Sequence, residues 1–190
     1  MNIRLSRDKA DMEQIVTLQA KNHKRTVDEL LRNEQGFVSI SHDTELLWAM
    51  HQLTPHVVAD SDGEIVGYAL SMEERFRHEI PDLEPTIKLI EKATYKSLSI
   101  AETPYLIMGQ VCVAEQARGQ KLVDRMYNFM RQTYHNRYRF FITEISLNNP
   151  RSIRVHERCG FEELFRHTDE NDDWVTVILD WGENQETRLK

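Results

Sequence analysis

The sequence predicts an α/β (α+β) domain, a sheet flanked by helices. Three observations carry this: a strand-then-helix opening, an Asp-Gly hairpin near residue 60, and two later strands that each run directly into a helix. At the start, Ile3, Arg4 and Leu5 read as a short strand, and Ala10, Ile15 and Leu18 then recur at helical spacing behind a cap at Ser6 or Asp8. A short helix is expected over 27–31, and another, capped by Ser41 or Asp43, carries Leu46, Leu47, Trp48 and Met50. Val57, Val58 and Ala59, the turn residues Asp60, Ser61, Asp62 and Gly63, and the apolar run 65–70 form a β-hairpin. The stretch 73–104 is charged and broken by Pro81, Pro85 and Pro104, so it reads as a mobile insertion with one short helix lined by Ile87, Leu89, Ile90 and Ala93.

Residues 105–113 are an apolar strand, 114–119 a turn, and Leu122, Met126 and Phe129 recur at i, i+4, i+7 on the helix that follows. A strand over 139–147 ends at Asn148-Asn149-Pro150, with Pro150 in the first turn of a helix that Gly160 closes at the C′ position. Strands over 161–166 and 174–181 complete the domain.

A chain of 190 residues fits one domain, spanning 1–190 with the insertion at 73–104. Hydrophobic residues at 40% and charged ones at 29% match a soluble globular protein. A formal charge of −7 disfavours a nucleic-acid partner, which requires a basic face. The opening residues turn charged at once, without a secretory h-region, and no apolar run reaches the roughly 20 residues of a membrane span. The expectation is a cytoplasmic protein with no membrane partner. Cys112 and Cys159 form no CxxC pair and read as buried thiols. His42, His51 and His56 have no i, i+4 pair among them and no nearby Asp or Glu that completes a site, so no metal is expected and they read as surface or substrate-loop residues.

A strand, a tight turn and a helix start gather backbone N–H groups where the helix dipole favours an anion. Gly119 allows close approach, and Arg118 and Lys121 add positive charge. That unit alone is ordinary in α/β proteins, where the two cations would simply be solvated. The run Val111-Cys112-Val113-Ala114-Glu115-Gln116-Ala117-Arg118-Gly119-Gln120-Lys121-Leu122, however, resembles the cofactor motif of the GNAT superfamily of N-acetyltransferases. About thirty residues on, the segment from Asn149 through Pro150, Arg151 and His156 to Gly160-Phe161 resembles that family's next motif.

The resemblance implies a mixed, mostly antiparallel twisted sheet of about seven strands, splayed between the fourth and fifth. It also implies acetyl-CoA as acyl donor and direct attack by a primary amine in a ternary complex. Pantetheine would lie along Val111, Cys112 and Val113, with the main chain of Val111 and Val113 as its partners. The diphosphate would rest on the amides of Gln116, Ala117, Arg118, Gly119, Gln120 and Lys121, and Asn149 would belong to the cofactor side. The chain departs from the family pattern at Lys121, where Gly is usual, at Val123, where a small residue is usual, and at His156, where a tyrosine usually protonates the leaving thiolate. An imidazole can also exchange a proton near neutral pH; the alternative for His156 is a helix residue facing solvent or capping a carbonyl.

For the general base, alternation places Glu144 on the face of Phe140 and Ile142, where burial would raise its pKa; the alternative is an ion pair or a solvent-facing side chain. The Val113 amide suits the oxyanion, and Gln110 suits orienting water or substrate. Arg151, Arg154 and Arg158 share one helix stripe and read as a solvated face. The acceptor is expected to be a small-molecule or peptide amine, walled by the early helices and the insertion, whose Glu73, Glu74, Glu79, Asp82 and Glu84 favour a cationic amine. A homodimer is compatible with all of this. The competing function is a catalytically silent acyl-CoA-binding or regulatory module on the same fold.

Overall fold

A computed structural model describes residues 1–28, 36–170 and 172–182. Strand β1 (Asn2–Leu5) leads into α1 (Lys9–Asn22), whose cap is Asp8, accepting from the Asp11 amide. Asp43 caps α2 (Thr44–Leu53) by accepting from the Leu46 amide at 2.8 Å. The helix expected over 27–31 lies largely outside the described residues. The hairpin forms from β2 (Val57–Ser61) and β3 (Glu64–Met72). Asp62 and Gly63 both have positive φ at its tip, as the twist-matching two-residue turn requires.

Strand β6 (Tyr105–Val113) precedes α4 (Leu122–Tyr134), and β7 (Phe140–Ser146) precedes α5 (Pro150–Arg158). The buried stripe of α4 is Leu122, Met126, Tyr127, Met130 and Tyr134, so Met130 rather than Phe129 continues the apolar face. Strands β8 (Glu162–Thr168) and β9 (Asp173–Asp180) close the sheet, in the order β1-β2-β3-β6-β7-β9-β8. Every neighbouring pair is antiparallel except β6 and β7. This is the expected mixed seven-stranded sheet, with its one parallel junction between the fourth and fifth strands. No helix among the described residues is long and apolar enough to cross a membrane.

The stretch 73–104 is a packed cap rather than a mobile insertion. It holds 3₁₀ turns at Glu74–His78 and Pro81–Leu83, helix α3 (Glu84–Ile90), and a small hairpin of β4 (Thr94–Tyr95) and β5 (Leu98–Ser99). Its Phe76, Ile80, Leu83 and Ile87 pack with Met50, Met72 and Ile107, while Ile90, Tyr95 and Ile100 pack with Phe140, Ile142 and Ile178. The opposite face of β7 sends Phe141 and Ile145 into the main core beneath α4. Both faces of the sheet are therefore covered, which is why Thr176 and Asp180 on β9 are buried beside Val175 and Val177.

Candidate active site

The β6–β7 ladder is short: Tyr105 pairs with Phe140, Leu106 with Phe141 and Ile107 with Ile142. Thr143 Oγ1 then donates to the Met108 carbonyl at 2.9 Å, and no further rungs follow. On the other edge of β6 the Ala114 amide donates to Val66 at 2.8 Å, so strand alternation turns the amides of Val111 and Val113 toward the gap.

Two cavities occupy this splay. The larger, about 390 Å³, runs from Val111, Cys112 and Val113 past Ala117, Arg118 and Gly119 to Lys121 and the start of α4. The smaller, about 100 Å³, lies between β6, β7 and the cap, against Glu144, Thr86 and Ile87. Phe37, Val38, Val111, Asn149, Ser152 and His156 line both, so the two meet along one shared wall. A strap over 37–40 forms part of it. The strap is held by Asn149 Nδ2 donating to the Phe37 carbonyl (3.0 Å) and Gln110 Nε2 donating to that of Ile40 (2.8 Å).

At the far end of the larger cavity the turn uses two left-handed residues, Gly119 (φ +81°) and Lys121 (φ +53°). The amides of Ala117 and Arg118 are spent inside the turn, on the carbonyls of Ala114 and Glu115. The cradle expected from Gln116 to Lys121 is thereby narrowed to the amides from Gly119 to the first turn of α4, whose N–H groups have no partner within the helix. The Gln116 side chain faces a separate hollow, and exposed Gln120 lines neither cavity. Arg118 reaches across to Asn22 Oδ1 (3.0 Å), and Arg151 and Arg158 join the cavity wall. Arg158 is bidentate on Asp124, so the carboxylate nearest the helix start is neutralised. Burial first, and then the nearby Arg118 and Arg154, lower the Arg151 pKa. This end of the cavity suits a polyanion such as a diphosphate.

On the smaller cavity Glu144 is 12% exposed, and burial lifts its pKa to about 7. Thr86 Oγ1 donates to its Oε2 at 2.5 Å, which partly offsets that rise. His167 Nε2 lies 3.7 Å from the same oxygen and 3.3 Å from Thr86 Oγ1. His156, 2% exposed, is neutral because burial lowers its pKa to about 4. Its Nδ1 lies 2.8 Å from the Ser152 carbonyl and so carries the proton, leaving Nε2 to accept from Tyr127 Oη at 2.8 Å.

The family model described as the Acetyltransferase (GNAT) family matches residues 24–161. The chain belongs to that family. Its fold is that of many solved structures. One is the Drosophila melanogaster polyamine N-acetyltransferase, 18% identical at a TM-score of 0.66 over 94% of this chain and 99% of that one. Another is the Salmonella typhimurium protein yncA with its cofactor acetyl-CoA, 17% identical at 0.62 over 97% and 95%. A third is the Escherichia coli ribosomal-protein-S18-alanine N-acetyltransferase, 12% identical at 0.61 over 96% and 95%. No curated protein matches the chain. As a GNAT-family acetyltransferase the protein uses acetyl-CoA. Among the described residues no group of three or more His, Cys, Asp or Glu is placed to hold a metal ion.

Several sequence expectations are revised here. His156 stands at the wall shared by both cavities, yet as a neutral ring with its single proton on a backbone carbonyl it has none to give. Asn149 spends its side chain on the strap and on capping α5, accepting from the Ser152 amide at 3.2 Å. Gln110 is equally committed, accepting from Tyr68 Oη and donating to Ile40, so it positions the strap rather than a substrate. His42, His51 and His56 are buried, not surface, residues. Cys112 is buried and Cys159 only partly so, and burial pushes both thiols up to about 12. Three acids of the run are paired: Glu73 with Arg75 and Arg137, Glu74 with Arg77, Glu84 with Lys88. Sequence reasoning missed Thr86, His167 and the strap. Arg151, read there as part of a solvated stripe, lines the larger cavity with Val155 one turn on, the i, i+4 spacing that was its legible signal.

Proposed function

We propose that the protein is an N-acetyltransferase that moves the acetyl group of acetyl-CoA to a primary amine by direct attack, both substrates being held at once in the splay. The observation that carries this reading is the meeting of two cavities of different chemistry across one wall: a long cationic one for the donor, and a compact one containing a carboxylate for the acceptor.

Bound in the larger cavity, acetyl-CoA supplies an activated acetyl thioester with a thiol as leaving group. Val111 and Val113 offer main-chain groups along the gap, and the Val113 amide is a fixed donor for a carbonyl oxygen that gains negative charge. The amides from Gly119 onward, with Arg118, Lys121 and Arg151, hold the phosphate end. Glu144 takes the proton that an attacking amine must shed, and a carboxylate with a pKa near 7 is matched to that task at neutral pH. The proton that Glu144 takes from the amine balances the one that the departing thiolate gains, passed on by Glu144 or exchanged through solvent, so that amine and thioester become amide and thiol; the neutral His156 is not its source. Thr86 and His167 position the carboxylate.

The test is acetyl-CoA binding by calorimetry, followed by thiol release on a panel of monoamines, polyamines, amino acids and peptides. Binding together with amine-dependent thiol release is expected. Binding without turnover of any amine would leave a silent acyl-CoA-binding module as the better reading.

A further inference from the structure

The acceptor cavity has walls unlike those of a polyamine site. Its sides are Ile40, Leu83, Ile87, Ile90, Ile107 and Met108, and Glu144 is the one side chain on it that carries charge among the described residues. Of the acids of the cap, Glu73, Glu74, Glu84 and Glu91 are paired with neighbouring arginines and lysines, and none of the cap's acids lines this cavity. A second ammonium group within this space would lose its hydration while sharing the single carboxylate of Glu144, with Asp82 and Asp169 acting only from outside the wall.

Most polar side chains on the wall are already committed. Thr143 donates to the Met108 carbonyl, Ser146 Oγ lies 2.5 Å from Asp172 Oδ2, and Gln110 is spent on Tyr68 and Ile40. Trp174 differs. It stands on the same wall, next to Ser146 in the β7–β9 register, and its indole N–H is buried without a hydrogen-bond partner. A buried donor left unpaired is costly, and a turn of the indole toward the cavity as the acceptor enters would bring it to an oxygen of that acceptor.

We infer that the acceptor is a monoamine with a compact, uncharged, mainly apolar body and one hydrogen-bond-accepting oxygen, its amine at Glu144 and its oxygen on the Trp174 N–H. This rests on the acetyl-transfer reading given above and narrows it to a substrate class. An α-amino amide with an aliphatic side chain has this chemistry: one amine, one carbonyl oxygen, and a branched hydrocarbon of the size of the isoleucine-lined space.

The experiment measures kcat/KM for acetyl-CoA-dependent thiol release with leucinamide, isoamylamine, putrescine and spermidine, for the wild type and for Trp174→Phe. Leucinamide and isoamylamine should each exceed both polyamines by about tenfold or more. Leucinamide should exceed isoamylamine, which has the same hydrocarbon without the carbonyl, by about tenfold, the effect of one satisfied buried donor. In Trp174→Phe that second difference should vanish while isoamylamine turnover persists. Preference for either polyamine would overturn the inference and leave acetyl transfer standing. A leucinamide preference that survives Trp174→Phe would overturn the assignment of the oxygen to Trp174. Failure of every amine, with acetyl-CoA still bound, would remove the acetyl-transfer reading and this inference with it.

Discussion

Glu144 and His156 are opposite outcomes of burial. Desolvation disfavours the charged form of each, so the carboxyl rises to about 7 and the imidazole falls to about 4. The first becomes useful as a base near neutral pH and the second becomes inert to protonation. Thr86 donates to the ionised carboxylate and so holds the Glu144 pKa below where burial alone would put it. Thr86→Val should therefore move the acid limb of the pH–kcat profile upward, above pH 7, with the plateau rate little changed; an unmoved limb would detach Thr86 from the chemistry. For His156→Phe the expected loss is in stability, about 1–3 kcal/mol by urea unfolding, because the buried Tyr127 hydroxyl loses its acceptor. Adding Tyr127→Phe should recover part of that loss, and kcat in the folded single variant should fall by less than about tenfold. A fall of several hundredfold with the fold intact would give the imidazole a chemical role. The face that Glu144 occupies was legible from β7 alternation. The partners Thr86 and His167 were not, because they lie 58 and 23 residues away along the chain and only the folded cap and edge strand bring them to it.

At the scale of elements, the strand-turn-helix unit from β6 to α4 was legible in outline because apolar run, Gly and helical periodicity are all local signals. Its usable amides were not, because the 3₁₀ turn at Glu115–Ala117 consumes two of them. Gly119 at φ +81° has open space around the position a Cβ would take. Gly119→Ala should thus carry only the backbone cost of a left-handed residue, about 1 kcal/mol in thermal unfolding. The acetyl-CoA Kd should rise by more than stability accounts for, as the methyl crowds the phosphate approach; an unchanged Kd would move the diphosphate elsewhere. Asn149 ties α5 to the strap, and Asn149→Ala should lose about 1 kcal/mol of capping. It should also speed amide exchange at 37–40, whereas unchanged exchange would mean that the strap is held without it. The cap itself was misread as mobile because its charges dominate the composition. Its seven buried apolar residues are spaced irregularly by prolines and 3₁₀ turns, which hides the periodicity that would have revealed a packed layer.

For the molecule as a whole, the buried histidines set the response to acid. Burial lowers His42 to about 4, His56 to about 3 and His156 to about 4, against about 6.5 in the unfolded chain. Below pH 6.5 the unfolded state binds more protons than the folded one, so stability should fall as pH drops from about 6.5 toward 4 and is fully present above 6.5. Glu144, raised to about 7, acts in the opposite sense between about 4.5 and 7, but it is one group against three. The urea midpoint should be clearly lower at pH 5 than at pH 7.5, and His56→Gln should flatten that slope if the variant folds; a midpoint independent of pH would contradict the buried neutral assignment. The mixed, mostly antiparallel sheet splayed between its fourth and fifth strands followed from the resemblance in the two motifs, and the alternation of β7 placed its carboxylate. What joins these into a site is long-range: the strap, the cap and the edge strand converge on the splay from residues 37, 86 and 167.

We propose that Glu144, on the smaller cavity, accepts the amine proton. The pH dependence of kcat for thiol release at saturating acetyl-CoA and amine, in wild type and Glu144→Gln, tests it most directly. The account predicts an acid limb near pH 7 in the wild type and a loss of about 10²-fold or more in Glu144→Gln, with the limb abolished and acetyl-CoA affinity retained. A Glu144→Gln enzyme with near wild-type kcat and the same limb would contradict it.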